Sequence, residues 1–189
     1  MLTRIVTLIF MLLSGSLHAA ATEPVDPELK AALMRTVAQA ESFNDRFDAE
    51  VWLLDMSTRL APFIKDENER LTMLRLVHRE ARQAKLKPDL VIAVMHTESL
   101  FDRYALSSVG AQGVMQVMPF WKAELGRPED NLIDLATNLR YGCAILKFYL
   151  DKEHGNLRRA LARYNGSLGS SRYPDKVLDY WYTYWYVNE

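Results

Sequence analysis

The chain has 189 residues, 49% hydrophobic and 25% charged, with a formal net charge of -1. That is enough apolar material for one domain with a sizeable core plus an extension. The near-neutral balance, with no basic run or stripe, leaves no electrostatic footprint for nucleic acid, and a lone cysteine, Cys143, excludes an internal disulfide.

Residues 1–21 have the pattern of an export signal. Arg4 precedes a short run from Ile5 to Leu13, apolar apart from Thr7, and Ala19, Ala20 and Ala21 offer small residues for cleavage. The run is shorter than the roughly 18 apolar residues of a spanning helix. An exported, periplasmic chain is therefore expected, membrane-associated if the signal stays uncleaved. Residues 22–27, with Pro24 and Pro27, form a linker.

From Glu28 to about Leu60 the spacing predicts helix. Leu29, Leu33, Val37 and Ala40 recur at helical intervals, and Phe43, Phe47, Val51 and Leu54 continue them past an Asn44-Asp45 break. Asp66, three residues before Glu69, predicts the start of a second helix. Leu71, Leu74, His78 and Ala81 line one face of it. Residues 22–84 are thus a helical extension. It either braces the main domain or carries a site for a cell-wall protein partner.

Residues 85–189 form that main domain. Pro88 suits a first helical turn, and Asp89 suits the positive end of the helix dipole. Val91, Val94 and Met95 then fall at i, i+3 and i+4, with Glu98 at i+7 on the same face. A carboxyl there is either paired or held neutral by desolvation, and a neutral carboxyl can act as a general acid. Beyond it, Ser107 to Gly113 is rich in turn-forming residues, and Val114 to Val117 fits either a short strand pair or a helix entry. Pro119 and Pro128 mark loops. Leu135, Leu139, Cys143, Leu146 and Leu150 predict a helix in which Gly142 marks close backbone packing.

Asn156 is suited to cap a short helix that turns Leu157, Ala160, Leu161 and Tyr164 inward, and Asn165-Gly166 ends it. Pro174-Asp175 opens a last helix, rich in aromatics. Its Trp181 and Trp185, one turn apart, suit core packing, although sugar stacking or a partner surface is also open to these rings. Strand signals are nearly absent, so the predicted fold class is mainly α. His96-x-Glu98 lacks the second histidine of a zinc motif, and there is no Gly-rich phosphate loop, so neither a metal nor a cofactor is expected.

Three segments carry a resemblance. They are Glu98-Ser99 with Phe101 and Ala105 to Ser107; Gly110 to Pro119, which contains Gly113-Val114-Met115-Gln116; and Ala160 to Asn165, ending in Tyr164-Asn165. Their order and spacing resemble the soluble lytic transglycosylase family of peptidoglycan-cleaving enzymes, across about residues 86–170. Val114 stands where that family usually has Leu, and Asn165-Gly166-Ser167 where it has Asn-Ala-Gly. The resemblance implies a lysozyme-like helical domain acting on peptidoglycan glycan strands. It implies Glu98 as catalytic acid and then base, with Ser107, Gln116, Tyr164 and Asn165 binding substrate. It also implies cleavage between N-acetylmuramic acid and N-acetylglucosamine with 1,6-anhydromuramic ends. A hydrolase of similar fold and a non-catalytic glycan-binding scaffold are the alternatives.

Overall fold

A computed structural model describes residues 46–125 and 128–188. The signal, the linker and the predicted helical positions from Leu29 to the Asn44-Asp45 break lie outside the described residues. The described part is helical, with no strand longer than an isolated bridge, so the mainly α expectation holds there.

The first helix, α1 (Arg46–Leu60), packs on α2 (Glu67–Gln83). Its buried face is Ala49, Leu53, Met56 and Leu60, whereas Phe47 and Val51 point to solvent. The helix predicted to reach Leu60 is present, and of its Phe47–Val51–Leu54 stripe only Leu54 packs partly against the core. Both stripes are apolar at helical spacing, and only the position of α2 decides between them. The turn at Pro62 is fixed by Arg70, whose guanidinium donates to Ile64 O, Lys65 O and Ser57 Oγ. Asp66 caps α2 as predicted, accepting from Glu69 N at 2.7 Å. Leu71, Leu74, His78 and Ala81 are all buried.

At the centre is α3 (Pro88–Ser99), with Pro88 in its first turn. Every residue from Pro88 to His96 is buried, so this helix is enclosed on all sides rather than along one stripe. Asp89 accepts from Leu90 N and from Val187 N, which ties the C-terminal tail to the start of α3. α3 stops abruptly. Leu100 and Phe101 take φ of 52° and 69°, a left-handed turn that costs roughly 1–2 kcal/mol per non-glycine residue. Burial of the Phe101 ring against Phe63, His96 and Trp185 offsets that cost.

The segment after α3 is neither a strand pair nor a helix entry. Two isolated bridges, Leu106 to Gln112 and Gln112 to Val117, pin a tight loop. A short helix, α4 (Trp121–Leu125), comes after it and has no sequence signal strong enough to predict it. Next come α5 (Leu135–Lys152), capped by Asp134, and α6 (Leu157–Tyr164), capped by Asn156 as expected. Last is α7 (Arg172–Tyr180), which begins two residues before the predicted Pro174 and runs into a π-helical turn, Trp181–Trp185. Trp181 and Trp185 are buried, while Tyr182 and Tyr184 are exposed. Both α7 and the π turn pack on α3. One continuous core reaches from Ala49 to Trp185; α2 packs directly on α3, and α1 packs on α2 and on the π turn.

Candidate active site

Glu98 sits in the last turn of α3, where the buried helix meets a cleft of about 310 Å³. Thr97, Asn165, Ser167, Ser170, Tyr173 and Lys176 also line this cleft, together with Arg172. Burial pushes the Glu98 carboxyl up from 4.5 to about 7. A hydrogen bond from Tyr173 and the charge of Lys176 oppose that rise and are outweighed. At neutral pH the group is thus poised between donating and accepting a proton, the condition for a general acid that later serves as base.

Tyr173 is a site residue that the sequence does not reveal. Its hydroxyl donates to Glu98 Oε1 at 2.5 Å. Burial and the neighbouring Glu98 hold its own pKa well above the usual phenol range, so it stays a donor. No local pattern signals this role, because the contact spans 75 positions in the chain.

Tyr164 faces inward, as its helical spacing predicts. Its hydroxyl donates to Met115 O at 2.7 Å, and burial, with the nearby Glu98 charge second, raises its pKa. Met115 is held from the other side as well. Its N–H donates to Asn138 Oδ1 at 2.9 Å, while Asn138 Nδ2 donates to Gln112 O and Leu132 O, both at 2.8 Å. Asn138 is buried and staples the 112–117 loop to α5. Two glycines permit this approach. A Cβ on Gly113 would lie 2.5 Å from Asn138 Nδ2, and one on Gly142 would lie 2.3 Å from Met115 Sδ. Ser99 completes the frame, donating to Val114 O at 2.9 Å and to Met95 O.

The other predicted residues separate. Asn165 lines the cleft beside Glu98. Ser107 accepts from Ala111 N at 2.9 Å and closes a turn. Gln116, at φ 47°, donates to Gly113 O and Ala105 O and holds its own loop. Neither Ser107 nor Gln116 lines the cleft. Asp102 is exposed and accepts from Tyr104 N at 2.8 Å. Phe101 beside it is buried. Cys143 is buried too, and burial with the charge of Glu80 pushes its thiol far above the ordinary range, which suits a core residue rather than a nucleophile. Among the described residues, no three His, Cys, Asp or Glu side chains gather as a metal site.

The segment that builds this cleft is also the segment with known relatives. The family model for the transglycosylase SLT domain matches residues 75–177, more than half of the chain. The chain belongs to the SLT-domain family. Within the match lie Glu98, the Met115 loop, Tyr164 and Tyr173. A transglycosylase of Enterobacteria phage PRD1 is 36% identical over 98 residues, covering 52% of this chain and 36% of that protein. A membrane-bound lytic murein transglycosylase C of Yersinia enterocolitica is 33% identical over 113 residues, covering 51% of this chain and 32% of its own. An inactive mutant of lytic transglycosylase Slt from Pseudomonas aeruginosa aligns with a TM-score of 0.47 and 24% identity, over 79% of this chain and 31% of that one. This SLT-domain chain therefore spans about a third of the length of the proteins it matches.

Proposed function

We propose that this SLT-domain protein is a peptidoglycan lytic transglycosylase, cleaving the β-1,4 bond between N-acetylmuramic acid and N-acetylglucosamine. The observation that carries the reading is Glu98, a half-buried carboxyl held near pKa 7 and the sole carboxyl lining an open cleft. Family membership supplies the substrate class. The relatives' names support an envelope location, as does the export-signal pattern of residues 1–21.

The chemistry runs through one carboxyl. Neutral Glu98 protonates the glycosidic oxygen as its bond to the anomeric carbon breaks. The N-acetyl oxygen of the same sugar attacks that carbon and forms a cyclic cation, which gains from proximity. Ionised Glu98 then takes the proton of the C6 hydroxyl. O6 bonds to the anomeric carbon, the N-acetyl oxygen leaves it, and a 1,6-anhydro end results with no water consumed. Tyr173 orients Glu98 by its hydrogen bond. Asn165 contacts substrate from the cleft wall. Tyr164, Ser107 and Gln116 act by holding the loops beside it.

Mass spectrometry of products from purified sacculi tests this. Anhydro ends are the expected result. Reducing ends, heavier by one water per cut, would promote a lysozyme-like hydrolase instead. No turnover by the folded protein would favour the binding scaffold.

A further inference from the structure

Five basic side chains in the C-terminal half have anionic partners. Arg158 pairs with Asp175, Arg159 and Arg163 share Glu153, Arg140 pairs with Asp130, and Lys147 with Asp151. Arg172 and Lys176 are among the described basic residues without one, and of these they alone line the Glu98 cleft. Both are exposed, both line the Glu98 cleft, and among the described residues neither side chain has an ion pair or a hydrogen bond. Lys176 lies over the ring of Tyr180, 5.6 Å from its centroid, and its charge acts on Glu98 and His96. The two sit four residues apart on α7 and so share one face, an arrangement that repels when nothing anionic lies between them. In the same cleft the buried Ser167 hydroxyl has no partner.

Tuning of Glu98 does not account for this pair. Lys176 does pull the Glu98 pKa down, but burial overrides it, and Arg172 is not among the groups that act on Glu98. Two cations and a spare hydroxyl in a cleft whose own acid is only partly ionised at neutral pH suit an incoming carboxylate. A guanidinium binds one in bidentate fashion and an ammonium as a point charge.

Resting on the glycan-cleaving reading of the cleft, we propose that Arg172 and Lys176 recognise free carboxylates on the branches of the glycan. They thereby select strands with anionic branches over strands with neutral ones, and Ser167 supplies a further donor.

The test uses peptidoglycan strands with their peptide carboxyls free, and the same strands with those carboxyls amidated. Steady-state rates are measured for wild type, Arg172→Gln, Lys176→Gln and the double variant. Each is assayed at its own pH optimum, which separates substrate recognition from any shift in Glu98. Circular dichroism checks folding, which exposed Gln substitutions should leave intact. For wild type, amidation should raise KM and lower kcat/KM about tenfold, with kcat little changed. Each single variant should lose roughly three- to tenfold on the free-carboxyl strands and little on the amidated ones. The double variant should treat both strands alike, and added salt should erode the wild-type preference. Wild type cleaving both strands equally, or a double variant that still discriminates, would overturn the proposal. Wild type cleaving neither strand would sink the glycan-cleaving reading itself, an outcome distinct from turnover without discrimination.

Discussion

The Tyr173 hydroxyl donates to Glu98 Oε1 at 2.5 Å and, after burial, is the strongest influence on the Glu98 carboxyl. A hydrogen bond to the charged form favours that form. Tyr173 therefore lowers a pKa that burial raises, and it fixes which way the carboxyl points.

Tyr173→Phe should move the Glu98 pKa above its present value of about 7. Because Glu98 must be protonated to begin the reaction, the high-pH limb of kcat/KM should move to higher pH. Rate at the optimum should still fall about 10- to 100-fold, as the freed carboxyl loses its aim. A pH–rate profile that keeps its wild-type limb would mean that Tyr173 does not act on Glu98.

Glu98→Gln should cost roughly 10²–10⁴-fold in turnover, since an amide cannot give and retake the proton. It should also stabilise the fold in a pH-dependent way. The folded pKa is raised from 4.5 to about 7, so the native state holds this proton more tightly than the unfolded chain. Wild type consequently loses stability as pH rises through that window, and the Gln variant does not. The variant should be more stable by ~2–4 kcal/mol above pH 7, with the difference vanishing below about pH 4.5. Thermal melts of both proteins across pH 4 to 8 would show it. A difference independent of pH would remove burial as the cause.

Much of this site was legible because short-range rules govern it. Spacing placed Glu98 at the end of a buried run and turned Tyr164 inward. Cap chemistry located Asp66 and Asn156, and Gly142 marked a close approach that Met115 does make. The failures lie where tertiary contacts decide. In α1, two apolar stripes compete, and the one with Phe47 and Val51 loses to the one with Leu53 and Met56. Tyr173 and Asn138 act across 75 and 23 positions, and neither carries a local pattern that says so. Arg172 and Lys176 read as ordinary surface charges until the structure sets them on the cleft wall.

Asn138→Ala should destabilise the protein by ~2–4 kcal/mol. It deletes three hydrogen bonds, two of them buried, and leaves Met115 N–H and the Gln112 and Leu132 carbonyls without that partner. Chemical denaturation measures this directly. Activity should fall further than the folded fraction, because the loop that carries Met115 and meets Tyr164 loses its staple. A stability change under 1 kcal/mol would mean that water satisfies these groups.

Gly142→Ala tests the same loop from α5. The new Cβ would lie 2.3 Å from Met115 Sδ and 2.8 Å from its Cβ, so the whole side chain must move. Met115 is itself buried, and overpacking of this kind costs roughly 1–3 kcal/mol. Met115→Ala in the Gly142→Ala background should recover part of that loss, since it removes the colliding sulfur. If the double variant is no more stable than Gly142→Ala alone, the clash is not what destabilises it.

Asp102→Asn should leave turnover within about twofold of wild type, as expected for a surface change outside the chemistry. Asp102 comes four residues after Glu98, a spacing that would place two carboxyls side by side on a continuing helix. The helix does not continue. The left-handed turn at Leu100 and Phe101 intervenes, and Asp102 ends exposed, accepting from Tyr104 N and lining no part of the cleft. An asparagine side-chain oxygen can accept the same bond, so the local turn should survive. A hydrolase that activates water with a second carboxylate needs that group opposite the first, across the scissile bond. If Asp102→Asn abolishes turnover while the protein stays folded, Asp102 is that second group and the one-carboxyl mechanism fails. If turnover persists and the products keep their anhydro ends, Glu98 does both proton transfers without it.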